Sequence, residues 1–240
     1  TGCIPQRMRE TILKELPFLD VVVGANNMEE LPAFLEGGVP LAAQLAALRE
    51  SRGAKDVGAY EAQLSSQKRE AGTRAWVSIT FGCDKFCSYC IVPHTRGREY
   101  SRRKEDILRE VASLEGKGYT ELVLLGQNVN SYGRNPAMGY LFPDLLTDVA
   151  AHRFLARIGF MTSHPHDVDL RLMEVIAAHG NIEKELHFPL QHGDDEILAR
   201  MDRGYTYGEY ASKVEAFRRL VQGARVGTDL IAGFPGETDA

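Results

Sequence analysis

The chain has 240 residues, 44% of them apolar and 25% charged, and a formal net charge of −5. That is ample for one large core, or for a large domain beside a smaller one. No apolar run approaches the roughly 18–20 residues of a membrane span, and an acidic balance does not announce a nucleic-acid binder.

The chain opens on Thr1 and closes on Gly236-Glu-Thr-Asp-Ala240 after a strand-like run, so an excerpt of a longer protein is expected. Residues 1–50 read as the end of a small α/β domain. Phe18–Gly24 has the pattern of a short buried strand, and Glu29–Glu36 and Leu41–Arg49 read as helices separated by Gly37-Gly-Val-Pro40. From 51 to 73 the composition turns polar, as in Ser65-Ser-Gln-Lys-Arg-Glu70, which suits a linker and sets a domain boundary.

Residues 74–240 then alternate regularly. Strands are predicted at Ala75–Phe81, Glu121–Leu125, Arg157–Met161, Glu185–Leu190 and Arg225–Ala232. Helices are predicted near Lys104–Lys117, Pro143–His152, Leu170–His179, Asp195–Met201 and Tyr207–Gln222. Ile107, Leu108, Val111 and Leu114 recur at helical spacing, Asp169 is placed to cap one helix, and Thr206 with Glu209 forms a capping-box start. Short apolar strands alternating with amphipathic helices predict an α/β fold, a partial parallel (β/α) barrel. Polar and glycine-rich strings follow each strand, and in a parallel barrel those positions share the C-terminal rim where active sites sit.

Of four cysteines, three fall in Phe81-Gly-Cys-Asp-Lys-Phe-Cys-Ser-Tyr-Cys90. This clustering does not resemble a disulfide framework. C-x3-C-x2-C is one thiolate short of a closed zinc site or a saturated iron–sulfur cube, which leaves one metal position open for chemistry. The bland alternative is a zinc knuckle completed by His94, although zinc sites usually show paired C-x2-C spacings.

C-x3-C-x2-C directly after the first barrel strand resembles the radical S-adenosylmethionine superfamily. Longer strings resemble its methylthiotransferase branch: GCDKFCSYCIVPHTRGREYSR (Gly82–Arg102), LLGQNVNSYG (Leu124–Gly133), TSHP (Thr162–Pro165), HFPLQHGDDEILARMDRGYT (His187–Thr206) and TDLIAGFPGET (Thr228–Thr238); GQNVNSYG and SHP together look most like the MiaB-type tRNA enzymes of that branch. The chain departs from the family pattern at His192-Gly-Asp194, where Ser-Gly-Ser or Ser-Gly-Asp is usual. The resemblance implies a [4Fe–4S] cluster on Cys83, Cys87 and Cys90, with S-adenosylmethionine chelating the free iron and cleaved to a deoxyadenosyl radical. It implies cofactor contacts from Tyr89, Gln127, Asn128, Ser163, Gln191, Arg203 and Gly233-Phe234-Pro235. It also makes Cys3 one ligand of a second, auxiliary [4Fe–4S] cluster whose other ligands, like a C-terminal RNA-binding domain, would lie outside this sequence.

Gln127 and Asn128 could instead serve turn chemistry. His164-Pro-His166, His187 and His192 read as local hydrogen-bonding residues, since hydrogen abstraction by a radical needs no general base. Arg96, Arg98, Arg102, Arg103 and Lys104 are a candidate RNA-backbone patch, because cations at a helix start oppose the helix dipole; a solvated helix start is the alternative. Phe86, Tyr89, Tyr132, Tyr205 and Tyr207 are candidates for base stacking. The expected activity is addition of a methylthio group to C2 of isopentenylated adenosine beside the tRNA anticodon. The expected partners are the tRNA anticodon loop and an electron donor such as flavodoxin or ferredoxin, and a cytoplasmic monomer without a membrane anchor is expected. Rival enzyme readings act on threonylcarbamoyladenosine or a ribosomal-protein aspartate. A rival of another class is a zinc-stabilised RNA-binding module without catalysis.

Overall fold

A computed structural model describes residues 1–25, 27–50, 69, 72–134 and 138–238. Most of the expected linker at 51–73 lies outside the described residues. The chain divides into two compact units, one of Thr1–Lys68, Phe81–Phe86 and Cys90–Tyr100, the other of Arg69–Thr80, Cys87–Tyr89 and Ser101–Ala240.

In the first unit the helices are α1 (Cys3–Met8), α2 (Thr11–Glu15), α3 (Leu31–Leu35), α4 (Leu41–Glu50) and α5 (Val92–Thr95). Ile12, Val22, Leu45 and Leu48 form its small core. The strand expected at Phe18–Gly24 does not form. Val22 and Val23 are buried as the apolar pattern requires, but the Val22 N–H donates to Gln44 Oε1 at 2.9 Å rather than to another strand. A single bridge, Gly2 with Gly24, is the ladder pairing described there. The Gln44 side-chain amide of α4 takes the place of a strand partner at Val22.

The second unit carries the parallel sheet. Strands β1 (Arg74–Ser78), β4 (Glu121–Leu125) and β5 (Arg157–Phe160) pair in the order β1-β4-β5, all parallel, with Ser78 beside Leu125 and Leu124 beside Phe160. Ile158 extends the sheet to residues 181–183 through bonds of 2.7 Å from its N–H to Asn181 O and 2.9 Å from Glu183 N–H to its own carbonyl. Strands β6 (Glu185–His187) and β7 (Arg225–Gly227) pair in parallel beyond it. The expected first strand breaks at Ile79, after which β2 (Thr80–Phe81) pairs with β3 (Tyr100–Ser101). The other strands are shorter than the apolar runs that predict them, because those runs continue into buried loop residues such as Phe188 and Leu190.

Helices α6 (Lys104–Ala112), α7 (Phe142–Ala150), α8 (Leu170–Ala178), α9 (Asp195–Arg200) and α10 (Tyr207–Leu220) fill the crossovers. Ile107 and Val111 of α6, Leu145 and Val149 of α7, Ile176 of α8 and Phe217 of α10 join Val77, Leu122, Leu124 and Ile158 in one core. Helix α6 stops at Ala112 rather than Lys117, and Gly116 and Gly118 both take positive φ beyond it. The caps read from sequence hold. Asp169 Oδ1 accepts the Leu172 N–H at 2.9 Å, and Thr206 and Glu209 accept each other's backbone N–H groups. β1, β4 and β5 run the same way in register, as do β6 and β7, so the C-terminal ends of each set lie together.

Candidate metal and cofactor site

The cysteine loop is built around two unusual backbone positions. Gly82 has φ of +68°, and a Cβ there would collide with the carbonyls of Gly97 and Arg98, so only glycine fits. Phe86, with φ of +49°, re-aims the chain just before Cys87. In the first unit, Cys83 N–H donates to Gly97 O at 3.2 Å, Asp84 accepts from Glu99 N–H at 3.0 Å and pairs with Arg98, and the Arg98 guanidinium lies over the Phe86 ring. Cys83 is buried and Cys90 half-buried in this frame.

In the second unit the chain around Cys87 is anchored to the turn after α9. Ser88 donates its N–H to Met201 O at 3.0 Å and its hydroxyl to Arg200 O at 2.9 Å. Arg203, 4% exposed, fans out from this turn. Its Nη1 donates to Cys87 Sγ at 3.4 Å and to Tyr89 Oη at 3.1 Å, its Nη2 to Pro189 O at 2.9 Å, and its Nε to Tyr205 Oη at 2.8 Å. Burial opposes its charge, but Tyr205, Tyr89 and Cys87 outweigh that and hold the guanidinium above its ordinary value. Burial pushes the Tyr205 phenol up, so that it stays neutral. His164 Nε2 lies 3.8 Å from the same Cys87 sulfur.

The remaining rim residues fall into two groups. Gln127 Oε1 and Ser163 Oγ are buried side-chain oxygens with no hydrogen-bond partner, the mark of groups that meet a ligand. Asn128, by contrast, is committed to the scaffold: its Oδ1 accepts the His164 N–H at 3.1 Å and its Nδ2 donates to Asp167 Oδ2 at 2.6 Å. Turn chemistry, the alternative weighed for this residue, describes it here. Gln191 adopts φ of +78° and exchanges backbone bonds with Asp229 and Ile231. Gly233 and Phe234 donate their N–H groups to Glu237 Oε2 at 2.6 and 2.9 Å. That bracket, Phe234 foremost, holds the Glu237 carboxyl below its ordinary value. His192, the departure from the family pattern, places Nε2 3.4 Å from Glu237 Oε1.

The basic string divides sharply. Arg96 and Arg103 are exposed; Arg98 is turned to Asp84, and Lys104 Nζ sits 4.5 Å above the Tyr140 ring. Arg102 does not fit the RNA-patch expectation. It is 3% exposed, pairs with Glu110 at 2.8 Å and donates to Ser78 O at 2.6 Å, so it locks α6 to the sheet and cannot reach a phosphate. Tyr132 is likewise a core residue, fully buried with its hydroxyl donating to Arg102 O at 2.8 Å. Sequence reasoning gave no role to Asp167 and Arg134, which brace the loop after β5, although Pro165 beside them marked a stiff turn. A cavity of about 690 Å³ lies under that loop, lined by Pro165, His166, Tyr205, Tyr210 and Lys213 among others. Lys213 Nζ donates to Pro165 O at 2.7 Å, and burial holds its ammonium below the ordinary value.

Among the described residues, no three Cys, His, Asp or Glu side chains converge as a ready metal cage. What fits an iron–sulfur cluster is the donor chemistry: soft sulfur ligands at short spacing in the chain, and, in the second unit, a buried cation beside Cys87. Cys3 is a free half-buried thiol at the start of α1.

A family model described as the radical SAM superfamily matches residues 77–240. Two tRNA-2-methylthio-N(6)-dimethylallyladenosine synthases are similar over 99% of this chain: that of Carboxydothermus hydrogenoformans at 43% identity, covering 53% of that protein, and that of Pelotomaculum thermopropionicum at 42%, covering 52%. The chain thus spans about half the length of the curated relatives it matches. Among solved structures, the cobalamin-dependent S-adenosylmethionine radical enzyme OxsB superposes with a TM-score of 0.62 at 13% identity, over 96% of this chain and 36% of that one. The radical S-adenosylmethionine methyltransferase TsrM of Kitasatospora setae gives 0.55 at 21% identity, over 70% and 32%. These likenesses carry the fold.

Proposed function

Because the chain belongs to the radical SAM superfamily, we propose that it is part of a tRNA methylthiotransferase adding a methylthio group to C2 of isopentenylated adenosine beside the anticodon. The observation that carries this reading is the C-x3-C-x2-C spacing itself, with Cys87 held by Arg203 and Ser88 in the unit that carries the parallel sheet. Similarity to synthases of the methylthiolated nucleoside supports the substrate.

Cys83, Cys87 and Cys90 would hold a [4Fe–4S] cluster. Such a cluster, when bound, supplies the electron that cleaves the sulfonium of S-adenosylmethionine. Three protein thiolates would leave one iron without a protein ligand and open to the cofactor. Gln127 and Ser163 offer unsatisfied oxygens to the cofactor, Tyr89 a half-exposed ring, and Gly233-Phe234-Pro235 a short backbone shelf. Gln191 sits on the same rim.

For the organisation, we take residues 1–50 as the end of an N-terminal domain, 51–73 as a linker and 74–240 as the radical core. Cys3 would serve an auxiliary cluster completed by cysteines elsewhere in the whole protein. The exposed Arg96, Arg98 and Arg103 remain candidates for the tRNA backbone, and Lys104 a weaker one because its ammonium already rests on Tyr140. A flavodoxin or ferredoxin would deliver electrons to a cytoplasmic monomer.

Mass spectrometry of tRNA from a deletion strain tests the substrate: methylthio-isopentenyladenosine should vanish and isopentenyladenosine accumulate. Unchanged methylthio-isopentenyladenosine would remove this substrate. Anaerobic reconstitution tests the chemistry, since Cys83→Ala should abolish the deoxyadenosine release seen in the parent under dithionite. Equal release from both would defeat the ligand assignment.

A further inference from the structure

We propose that Arg203 and His164 are paired positioning residues for Cys87: their N–H groups fix its sulfur and stabilise negative charge there, raising the reduction potential of the metal centre that this thiolate ligates. The inference rests on the iron–sulfur reading above and extends it to residues outside the ligand set.

Three observations converge on Cys87 Sγ. The first is the environment of Arg203. A guanidinium 4% exposed requires a compensating anion, because an unpaired buried charge is costly. Its partners are two tyrosine hydroxyls, a carbonyl and the Cys87 sulfur, and none is a carboxylate. Among them the sulfur is the atom that gains negative charge when it ligates a metal.

The second is the tautomer of His164. Its Nδ1 accepts the backbone N–H of His166 at 3.3 Å, as part of the turn at Pro165–Asp167. A ring nitrogen that accepts carries no proton, so in the neutral ring the proton is on Nε2, the atom 3.8 Å from Cys87 Sγ. The local turn therefore makes His164 an N–H donor to sulfur. The third is the bracing behind it. Asn128 takes the His164 N–H and ties itself to Asp167, whose side chain is 1% exposed, so the ring is held from the loops after both β4 and β5.

Two donors from different loops on one sulfur have an electronic consequence. Hydrogen bonds to cluster sulfurs are among the determinants of cluster potential. Both favour the more electron-rich, reduced state. Losing either makes reduction harder.

The test is a redox titration of the anaerobically reconstituted chain without S-adenosylmethionine, followed by electron paramagnetic resonance. His164→Phe and Arg203→Gln should bind iron to the parent's stoichiometry and titrate at more negative potential. At a fixed applied potential, the ratio of reduced to oxidised cluster should fall roughly tenfold for each, about 59 mV for a one-electron couple. Arg203→Lys, which keeps the charge but not the fork, should shift less. If Arg203→Gln fails to fold, His164→Phe decides, because it removes one donor from a ring of similar shape. Iron-loaded His164→Phe and Arg203→Lys titrating at the parent's potential would overturn the proposal and leave the cluster reading intact. Weaker S-adenosylmethionine binding at unchanged potential would overturn it too, assigning Arg203 to the cofactor. A parent that binds no iron would remove the cluster reading, and the proposal with it.

Discussion

The loops after β4 and β5 and the loops after β6 and β7 lie at the C-terminal ends of parallel strands, yet they are held by opposite means. After β4 and β5, buried side chains bind one another: Asn128 to Asp167 and to the His164 backbone, with Arg134 and His166 facing the Asp167 carboxylate at 3.7 and 3.1 Å. After β6 and β7, a partly exposed glutamate brackets two backbone amides and meets His192. Hydrogen bonds made away from water are strong and expensive to break. Those made at the surface exchange readily with water. The first pair of loops is therefore preorganised around Cys87; in the second, Pro189 is fixed by the buried Arg203, and the stretch that meets Glu237 is free to adjust to what arrives.

The largest effect should come from cutting the buried network. Asp167→Ala leaves the Asn128 amide without its acceptor and removes the carboxylate facing Arg134. We expect a loss of about 2–3 kcal/mol in unfolding free energy, read by denaturant titration. A loss below about 1 kcal/mol, the ordinary surface range, would mean that this network does not hold the loop.

Next in size is stored backbone strain. Thr162, at φ of +69°, and Gln191, at φ of +78°, are non-glycine residues in the left-handed region, one in each pair of loops. A β-branched residue is the worse fit there. Thr162→Gly should stabilise the fold by about 1 kcal/mol, and Gln191→Gly by less, after the extra entropy of an unfolded glycine is counted. Denaturant midpoints of the two variants order them. If Thr162→Gly destabilises, the strain is not the dominant cost at that position.

Much of this was legible in the sequence, for reasons that can be named. Period and caps located α6 to α10, because an amphipathic stripe and a Thr–Glu or Asp cap are local signals. The cysteine spacing pointed to the superfamily that the family match shows, since few sites use three thiolates so close together. Two kinds of information were missing. Whether a charged residue is exposed depends on long-range packing, so Arg102 read like its neighbours although Glu110 and the Ser78 carbonyl bury it. Which atom a rim side chain addresses depends on loops that meet only in space. Asn128 and Arg203 read as cofactor contacts, while the fold turns the first to Asp167 and the second to Cys87. The apolar run at Phe18–Gly24 failed as a strand because the Gln44 side chain, distant in sequence, claims its backbone.

The smallest effect is the one that best separates the two pairs of loops. Glu237 owes its lowered pKa first to the Phe234 N–H, then to His192 and the Gly233 N–H. A carboxyl whose folded value is depressed contributes fully above the ordinary glutamate range, and that contribution is lost as pH falls through the folded value. Acidification should therefore release the Gly233 and Phe234 amides while leaving those of the buried network protected. Amide chemical shifts of Gly233 and Phe234 should follow an acidic transition in the parent that is absent in Glu237→Gln. That variant's melting temperature at neutral pH should stay within about 2 °C of the parent's, as for an ordinary surface substitution. If the His164 and Asn128 amides moved through the same transition, the two pairs of loops would be one cooperative element, and the contrast between a fixed and an adjustable side of the rim would fail.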